Sequence, residues 1–335
     1  MKNNTSLALF VVLLLMIVLL FTSFAYGKSR EDNTREAILG HEEKQLYNFL
    51  LLGRDSAAGL CDVIILTSVN VSDGNVNIMQ IPRDTYFNYA DGSYKKINGA
   101  ANALGISGFV SALGDALGIG IDYYLSLDTK TVAKMVDMLS GIEIDVPSDM
   151  DYDDPAQGLS IHIKKGKQKL GGEEAVNFLR YRSGYLTGDI GRIDAQKLFL
   201  NAFVKRVGEQ KNPLVYLNLF KLVSTNGVTN IREQDITSIG LKCSKTSAGK
   251  VYYVTAPGSA VQSENSGAWY YVLSKSSMQE LLGERFGLKD GKKDFDNTQK
   301  FVDNKIKSFY DIYNKRSEYR VFTADELENE QININ

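Results

Sequence analysis

The sequence has little of the chemistry on which several common active sites depend. Its 335 residues include 2 histidines and 2 cysteines. His41 falls in a charged segment and His162 in an alternating strand pattern, so we expect neither a Ser-His-Asp arrangement nor a histidine-rich metal site. Cys61 and Cys243 are too few for a disulfide framework. The sequence does not exclude a single disulfide bond between them if the protein lies in an oxidising compartment.

Phosphate-binding loops and an excess of charge are also missing. No Walker sequence is present and no G-x-G-x-x-G follows a predicted strand, which excludes the common nucleotide-binding loops. The formal net charge is −2, so nucleic acid is not an expected partner. An acidic stretch from Asp149 fails the EF-hand pattern, because Asp154 replaces the turn glycine and Ser160 the final glutamate. Any anion site must therefore come from a local cluster.

A long apolar run lies near the N-terminus. The segment from Leu7 to Tyr26 contains no charged side chain, and its roughly 20 residues suffice for a transmembrane helix. A cleavable signal peptide stays open, because the small residues Ser23 and Ala25 have cleavage-site spacing, although secretory apolar regions usually hold about 7–15 residues. We therefore predict an uncleaved anchor, whose orientation is not set by the basic residues that flank both of its ends.

The remaining composition predicts one large domain. The chain divides into a cytoplasmic tip and transmembrane anchor (1–27), a charged stalk (28–44), a folded catalytic domain (45–288) and a charged C-terminal tail (289–335). Within the domain, Tyr123 to Leu127 has a strand pattern, Thr129 to Leu139 a helix pattern and Ile142 to Val146 a strand pattern. This alternation predicts an α/β layered fold. The turn residues from Ser72 to Gly74 predict a hairpin.

Arginine and aspartate residues stand at the ends of predicted elements rather than on exposed helix faces. The set comprises Arg83, Asp84, Arg180, Arg182, Arg192 and Gln196. Arg180 and Arg182 are two apart in an extended segment and so project to the same side, while Arg192 and Gln196 share one helix face. Because the guanidinium fork binds phosphate oxygens in bidentate fashion, the set predicts a phosphate clamp. The alternative is a group of solvated or ion-paired arginines.

Two aspartates are candidates for binding a metal ion. Asp55 ends one predicted strand and Asp62 begins the next, so their carboxylates can converge across the short loop between them. Mg²⁺ is usually held by one or two carboxylates together with substrate phosphate oxygens. The alternative is that Asp55 is a turn residue and Asp62 a cap.

Eight sequence blocks occur in order between Tyr47 and Gly287: LLLGRD, CDVIILTSVN, IPRDTY, KINGA, GIEIDVP, DYDDP, KGKQKLGGEEAVNFLRYR and GDIGRIDAQ. Together they resemble the LytR-CpsA-Psr family of cell-wall glycopolymer ligases. The resemblance implies a three-layer α/β/α sandwich with a central mixed sheet, preceded by one N-terminal transmembrane helix. It also implies a deep apolar pocket for a polyprenyl chain and a catalytic domain held outside the cytoplasm on the cell membrane.

The same resemblance implies a reaction and its residues. The enzyme would move a glycopolymer from a polyprenyl-pyrophosphate carrier to a hydroxyl of peptidoglycan, forming a phosphodiester with Mg²⁺ as cofactor. Asp55 and Asp62 would hold the metal, and Asp84 or Asp55 would accept the hydroxyl proton. The pyrophosphate would contact Arg54, Arg83, Arg180, Arg182, Arg192 and Gln196, of which Arg83 and Arg192 would also act in catalysis.

The chain departs from the family pattern at three arginine positions. Leu60 and Ala195 occupy two of them, and the short loop Ser56-Ala57-Ala58-Gly59 lacks the arginine that the family often has between the two aspartates. Arg54 is the residue able to replace one lost charge. Two other functions therefore stay open. One is a non-catalytic polyprenyl-phosphate-binding or regulatory protein, and the other is a polyprenyl-pyrophosphate phosphatase in which water replaces the acceptor. The sequence identifies neither the glycan nor the oligomeric state.

The anchor hypothesis predicts how the full-length protein fractionates. We expect it to sediment with membranes and to resist extraction by high salt or carbonate, because a helix of this apolar length inserts into the hydrocarbon core. Recovery of a mature form that begins near Tyr26 and is free in the medium would contradict the anchor and support the signal peptide.

Overall fold

The computed structural model describes residues 44–329, apart from 56–58, 90–95, 156–157, 186–188, 233, 236–237, 240–241, 243–248, 290–294 and 297–298. The predicted anchor and most of the predicted stalk lie outside the described residues, as does Cys243. Cys61 is buried and its thiol is free. The division of the chain into anchor, stalk, domain and tail stays a prediction.

The described strands form one large sheet and three two-stranded sheets. They are β1 Leu46–Arg54, β2 Cys61–Asn70, β3 Val76–Gln80, β4 Tyr123–Asp128, β5 Ile142–Val146, β6 Met150–Asp154, β7 Leu159–Ile163, β8 Gly166–Leu170, β9 Val228–Thr229, β10 Val251–Thr255, β11 Gly258–Gln262, β12 Trp269–Leu273 and β13 Phe322–Thr323. The large sheet has the order β13-β10-β3-β2-β1-β4-β9.

The large sheet is mixed. β1 pairs with β4 in parallel and β3 with β10 in parallel, whereas β2 is antiparallel to both β1 and β3. β1, β3, β4 and β10 therefore point the same way and end at one edge, which we call the C-terminal edge. The antiparallel β2–β3 pair confirms the predicted hairpin. Its turn uses Gly74 at φ 71°, a conformation that glycine adopts without steric cost.

The described helices are α1 Ala100–Leu117, preceded by a 3-10 turn Ile97–Gly99, then α2 Thr129–Met138, α3 Gly172–Arg180, α4 Asp189–Gly208, α5 Pro213–Asn226, α6 Lys275–Arg285, α7 Lys307–Asn314 and α8 Ala324–Asn329. Leu52 and Leu66 of the sheet pack in a core with Phe109 of α1 and Leu281 of α6. On the opposite side, residues such as Ile65 form a core against which Leu200 of α4 and Phe220 of α5 pack. Helices thus cover both faces, in agreement with the predicted α/β architecture.

One described helical segment, Ile97–Leu117, is long and apolar enough to cross a membrane by length and composition alone. Phe109, Leu113 and Leu117 from this segment are fully buried in the core that α1 shares with the sheet. Gly105 interrupts the regular helix with φ 71° and ψ 162°. The apolar character of this segment is therefore accounted for by core packing.

A second core supports the helices beside the C-terminal edge. α2, α3 and the small sheets β5–β8 and β6–β7 meet there through residues such as Val136, Phe178 and Ile161. α3 approaches α2 closely, because a Cβ at Gly172 would lie 2.3 Å from the carbonyl oxygen of Ala133. This contact holds the first turn of α3 against α2, and the candidate arginines Arg180 and Arg182 lie at and just beyond the opposite end of the helix.

The segment beyond residue 288, for which composition predicts a charged tail, contributes to the folded body over its described residues. The rings of Phe295 and Phe301 stack with centroids 5.2 Å apart. Phe309 of α7 is fully buried in the core that α1 and α6 share with the large sheet. β13, an outermost strand of that sheet, pairs with β10.

Neighbouring residues of α7 test this packing. Phe309 is 0 % exposed and Tyr310 is 50 % exposed. We expect Phe309→Ala to lower the free energy of unfolding by about 3–5 kcal/mol through lost burial and cavity formation. Tyr310→Ala should change it by about 0.5 kcal/mol or less. Denaturant titration of both variants measures the difference, and equal stabilities would show that this helix does not belong to the core.

Candidate active site

A polar pocket of about 200 Å³ lies at the C-terminal edge of the large sheet. It brings together eight residues that the sequence singled out, from segments far apart in the chain. They are Arg54, Asp55, Asp62, Arg83, Arg180, Arg182, Arg192 and Gln196. We call this the anion pocket. The roles of its residues stay predictions, whereas their common location is a property of the fold.

The β1–β2 connection places the two aspartates at the pocket. The backbone N–H of Asp55 donates to the Leu60 carbonyl at 2.9 Å, and the Asp55 carbonyl accepts from the Gly59 N–H at 3.0 Å. This tight turn returns the chain so that Asp62 starts β2 beside the end of β1. Asp62 Oδ1 accepts from Arg83 Nη1 at 2.6 Å, which joins β2 to the segment after β3.

The arginines after α3 are oriented by a buried tyrosine between them. Tyr181 is 5 % exposed, and its ring meets that of Tyr185 edge-on with centroids 5.3 Å apart. Because Tyr181 points into the second core, Arg180 and Arg182 on either side of it are directed away from that core. Both line the anion pocket.

α4 contributes the most deeply buried polar groups. Arg192 is 4 % exposed and Gln196 is 5 % exposed. Gln196 accepts a hydrogen bond from the Gln80 amide at the end of β3 and donates to the Leu179 carbonyl at 3.4 Å. These bonds hold the first turns of α4 across the C-terminal edge.

The charge of the anion pocket favours an anionic ligand. Five arginines and three aspartates line it, so positive charge predominates. Arg54 Nε is buried with no hydrogen-bond partner among the described residues, and a buried donor left in this way costs free energy until an acceptor reaches it. A phosphate group supplies acceptor oxygens and the opposite charge together.

The third carboxylate, Asp128, is a residue that the sequence reasoning missed. It ends β4 directly opposite Arg54 of β1 and accepts from the Thr131 N–H at 2.8 Å as the N-cap of α2. Burial opposes its ionisation, but the bonds from Thr131 and the charges of Lys130 and Arg54 outweigh burial and hold the pKa of Asp128 below its usual value. The signal available in the sequence was an aspartate between a strand and a helix.

Asp84 is not brought into this pocket. Its carboxylate accepts from Lys96 Nζ at 2.7 Å, and its carbonyl accepts from the Tyr271 N–H at 2.9 Å. Although it follows Arg83 in the chain, it is absent from the pocket lining. Asp55 is therefore the better placed of the two candidates for accepting a proton.

A Ser-His-Asp arrangement exists in the structure, contrary to the prediction that none would occur. His162 Nε2 lies 3.0 Å from Ser160 Oγ and Nδ1 lies 2.7 Å from Asp151 Oδ1. The group sits on the open face of the β6–β7 hairpin, where the side chains of His162 and Asp151 are 58 % and 77 % exposed. Acyl transfer depends on oriented donors in a site that excludes water, so this exposed group does not make a competing active site.

An apolar cavity of about 200 Å³ lies next to the anion pocket, between the large sheet and α2, α4 and α5. We call it the apolar groove. α4 lines both sites, since Arg192 and Gln196 face the anion pocket and Leu200, Phe203 and Val207 face the groove. These positions follow a helical repeat along one face. With a rise of about 1.5 Å per residue, this face extends about 22 Å along the helix, from Arg192 at its cationic end to Val207 at its apolar end.

The residues around the pocket fit Mg²⁺ only if the substrate supplies some of the ligands. Among the described residues there is no group of three or more His, Cys, Asp or Glu side chains that could hold a metal ion. Asp55 and Asp62 therefore suit an ion that takes its other ligands from substrate phosphate oxygens and water. Burial, partly offset by Arg54 and reinforced by Asp62, raises the pKa of the neighbouring Cys61 thiol to about 11, so it is neither a ready ligand nor a nucleophile near neutral pH.

The fold and the two sites define a class: an α/β protein in which one helix lines both an arginine-rich pocket and an apolar groove. A family model described as the LytR_cpsA_psr family matches residues 17–286. The chain therefore belongs to the LytR-CpsA-Psr family, as its sequence blocks predict.

Two relatives and one solved structure illustrate the similarity. The chain is 27 % identical over 266 residues to the polyisoprenyl-teichoic acid–peptidoglycan teichoic acid transferase TagV of Bacillus subtilis, covering 77 % of this chain and 68 % of TagV. It is 26 % identical over 262 residues to TagU of Bacillus licheniformis, a transferase of the same description, covering 77 % and 82 %. The crystal structure of B. subtilis TagV superposes with a TM-score of 0.60 at 26 % identity, covering 72 % of this chain and 96 % of that one.

The anion pocket predicts the effect of replacing Arg192. We expect Arg192→Ala to weaken binding of a short polyprenyl pyrophosphate by about 2–5 kcal/mol, because a buried charged donor is lost. Arg192→Lys should restore little, since an ammonium does not reproduce the guanidinium fork.

Calorimetric titration measures this effect in both variants. Arg316→Ala is the control, because its side chain is 67 % exposed and pairs with Glu280 away from the pocket. Wild-type affinity in Arg192→Ala would show that the pocket does not bind the head group.

Proposed function

We propose that this protein transfers a glycopolymer from a polyprenyl-pyrophosphate carrier to a hydroxyl of peptidoglycan, forming a phosphodiester. The observation that carries the proposal is the single face of α4 that leads from the anion pocket into the apolar groove. Such a site matches a pyrophosphate head and a polyprenyl tail. The names of TagV and TagU, which describe a polyisoprenyl-linked donor and a peptidoglycan acceptor, support the same substrates.

The arginines bind and orient the donor in this proposal. The polyprenyl chain occupies the groove beside Leu200 and Phe203, while Arg192 and Arg54 hold the pyrophosphate oxygens. Arg180 and Arg182 approach from the end of α3, and Arg83 is held in place by Asp62. Phosphoryl transfer depends mainly on such positioning and on neutralising charge, and fixed guanidinium donors supply both.

The transfer step exchanges one phosphorus–oxygen bond for another. The acceptor hydroxyl oxygen attacks the phosphorus linked to the donor sugar, and the bond from that phosphorus to the bridging oxygen breaks. Polyprenyl phosphate leaves with the electron pair, and the hydroxyl proton passes to a carboxylate. Asp55 is the proposed acceptor of this proton because it lines the pocket.

Mg²⁺ is proposed to complete the site, held by Asp55 and Asp62. When bound it would neutralise charge on the pyrophosphate oxygens and favour departure of the phosphate. Arg83 balances the charge of Asp62 through their 2.6 Å contact, and both residues line the pocket.

The proposal also places the domain outside the cytoplasm, next to its lipid-linked donor. The predicted anchor would confine the anion pocket to the membrane surface and raise the effective concentration of the carrier. Single-pass attachment and this orientation stay predictions of the sequence.

The missing family arginines do not favour the non-catalytic alternative. Ala195 is fully buried in the second core, so this position supports packing here. Arg54 lines the pocket and pairs across the sheet with Asp128, and it retains one cation near the expected phosphate. Five arginines remain, enough to surround a pyrophosphate.

Reconstitution tests the reaction and the metal together. Purified full-length protein, Mg²⁺, a polyprenyl-pyrophosphate glycan and peptidoglycan should give a phosphodiester-linked product, detected by mass spectrometry after wall digestion. Asp62→Ala should slow product formation by about 10²–10³-fold, because charge stabilisation at the phosphate is lost.

Asp153→Ala is the matched control, since Asp153 is an exposed aspartate of the β6–β7 hairpin. Release of the glycan phosphate into water without wall product would support the phosphatase alternative. Donor binding with no turnover of either kind would support the lipid-binding alternative.

A further inference from the structure

A second polar recess adjoins the anion pocket on the other side of α4. It has a volume of about 370 Å³ and is lined by Asp194, Lys197, Thr255, Ser259, Tyr319 and Phe322, among others. We call it the lateral pocket. Its volume lies in the range of small-molecule sites, and none of the predicted site residues lines it.

The two pockets are joined through one glutamine pair. Gln80, the last residue of β3, donates from its side chain to Gln196 of the anion pocket. The Gln80 carbonyl accepts from the N–H of Ala256 at 2.9 Å, and Ala256 lines the lateral pocket. Lys197 directly follows Gln196 on α4. The glutamine pair therefore ties the lining of one pocket to the lining of the other.

A buried ammonium gives the lateral pocket unused hydrogen-bonding capacity. Lys197 is 4 % exposed, and its Nζ donates to Asp194 Oδ1 at 2.9 Å. The same Nζ lies 5.6 Å from the centroid of the Phe322 ring. An ammonium has three N–H donors, and Asp194 is its one hydrogen-bond acceptor among the described residues. Acceptor oxygens of a ligand would satisfy the others.

The charge of the lateral pocket distinguishes its ligand from that of the anion pocket. Asp194 and Glu318 balance Lys197 and Arg320 in the lining, so a phosphate gains no net attraction there. Paired carboxylate and cationic groups instead suit hydroxyls, which donate to one and accept from the other. Tyr319 and Phe322 add apolar ring surface against which the C–H face of a sugar can pack.

We infer that the lateral pocket binds a sugar unit of the peptidoglycan acceptor, an inference that rests on the proposed transfer reaction. The attacking and leaving oxygens of phosphoryl transfer lie roughly in line. The leaving polyprenyl phosphate is directed toward the apolar groove beneath β1 and β4. The acceptor must approach from the other flank, where the lateral pocket opens beside β10.

Two substitutions test this assignment by different physical routes. Asp194→Asn keeps the side-chain shape but removes the charge that orients Lys197. Ser259→Trp fills the pocket from an exposed position of β11. Asp311→Asn is the matched control, because Asp311 forms an exposed ion pair with Lys307 on a helix away from both pockets. Thermal denaturation of each variant establishes that it folds.

Transfer kinetics with full-length protein separate the two substrates. Both test variants should raise the KM for peptidoglycan strands by about tenfold or more, Asp194→Asn through lost hydrogen bonds to charged groups and Ser259→Trp by filling the pocket. The KM for the lipid donor should change by less than about twofold. A rise in the donor KM alone would overturn the inference by assigning the pocket to the donor glycan. Unchanged KM values for both substrates would also overturn it.

Direct binding of a soluble peptidoglycan oligosaccharide separates this inference from the proposed reaction. Saturation-transfer NMR should detect the oligosaccharide on wild type and on Asp311→Asn, and its signal should fall by about tenfold in Asp194→Asn and Ser259→Trp. Oligosaccharide binding without any transfer product would support acceptor binding in the lateral pocket and contradict the proposed transfer reaction. If the variants form product with an unchanged acceptor KM and bind the oligosaccharide as wild type does, the assignment of the lateral pocket is wrong and the proposed transfer reaction is unaffected.

Discussion

The gathering of five arginines around one pocket is the constraint on which the site depends. Guanidinium groups repel one another, and the burial of Arg192 removes the water that would screen it. Asp62 and Asp128 offset part of this charge, the first through its 2.6 Å contact with Arg83. Strand ends and the first turns of α4 hold the cations together, because they are packed against two cores and cannot separate to relieve the repulsion. In the proposed function, the anionic head group of the donor would relieve this repulsion.

The parts of the site that the sequence predicted are those set by local geometry. A short loop between two strands must bring Asp55 and Asp62 together, and alternation around buried Tyr181 must direct its flanking arginines to one side. Asp128 was missed because its position depends on the parallel pairing of β4 with β1 across about 70 residues of chain. Asp84 lies outside the pocket lining, because adjacency to Arg83 in the chain does not fix the direction of its side chain. Its carboxylate pairs instead with Lys96.

Two further features that the sequence did not predict depend on contacts between residues far apart in the chain, which composition cannot reveal. Residues beyond 288 are rich in charge, yet Phe295, Phe301 and Phe309 carry enough apolar area to enter the core, and burial of aromatic rings outweighs the average polarity of a segment. The alternation of β7 places Ser160 and His162 on one face of the strand. The antiparallel register with β6 then brought Asp151 opposite His162, which a pattern within a single strand does not specify.

α4 lines both the anion pocket and the apolar groove, and so fixes the distance between them. Its groove-facing residues begin one turn after Gln196. A polyprenyl chain bound against Leu200 and Phe203, as proposed, would therefore set how far its head group reaches toward Arg192. The helix cannot shift alone, because the Gln80 amide holds its first turns and Tyr253 Oη donates to Asn201 Oδ1 at 3.3 Å further along. In the proposed reaction, binding energy from the remote apolar tail would thereby be used to align the phosphorus. This alignment is the contribution that phosphoryl transfer most requires from a protein.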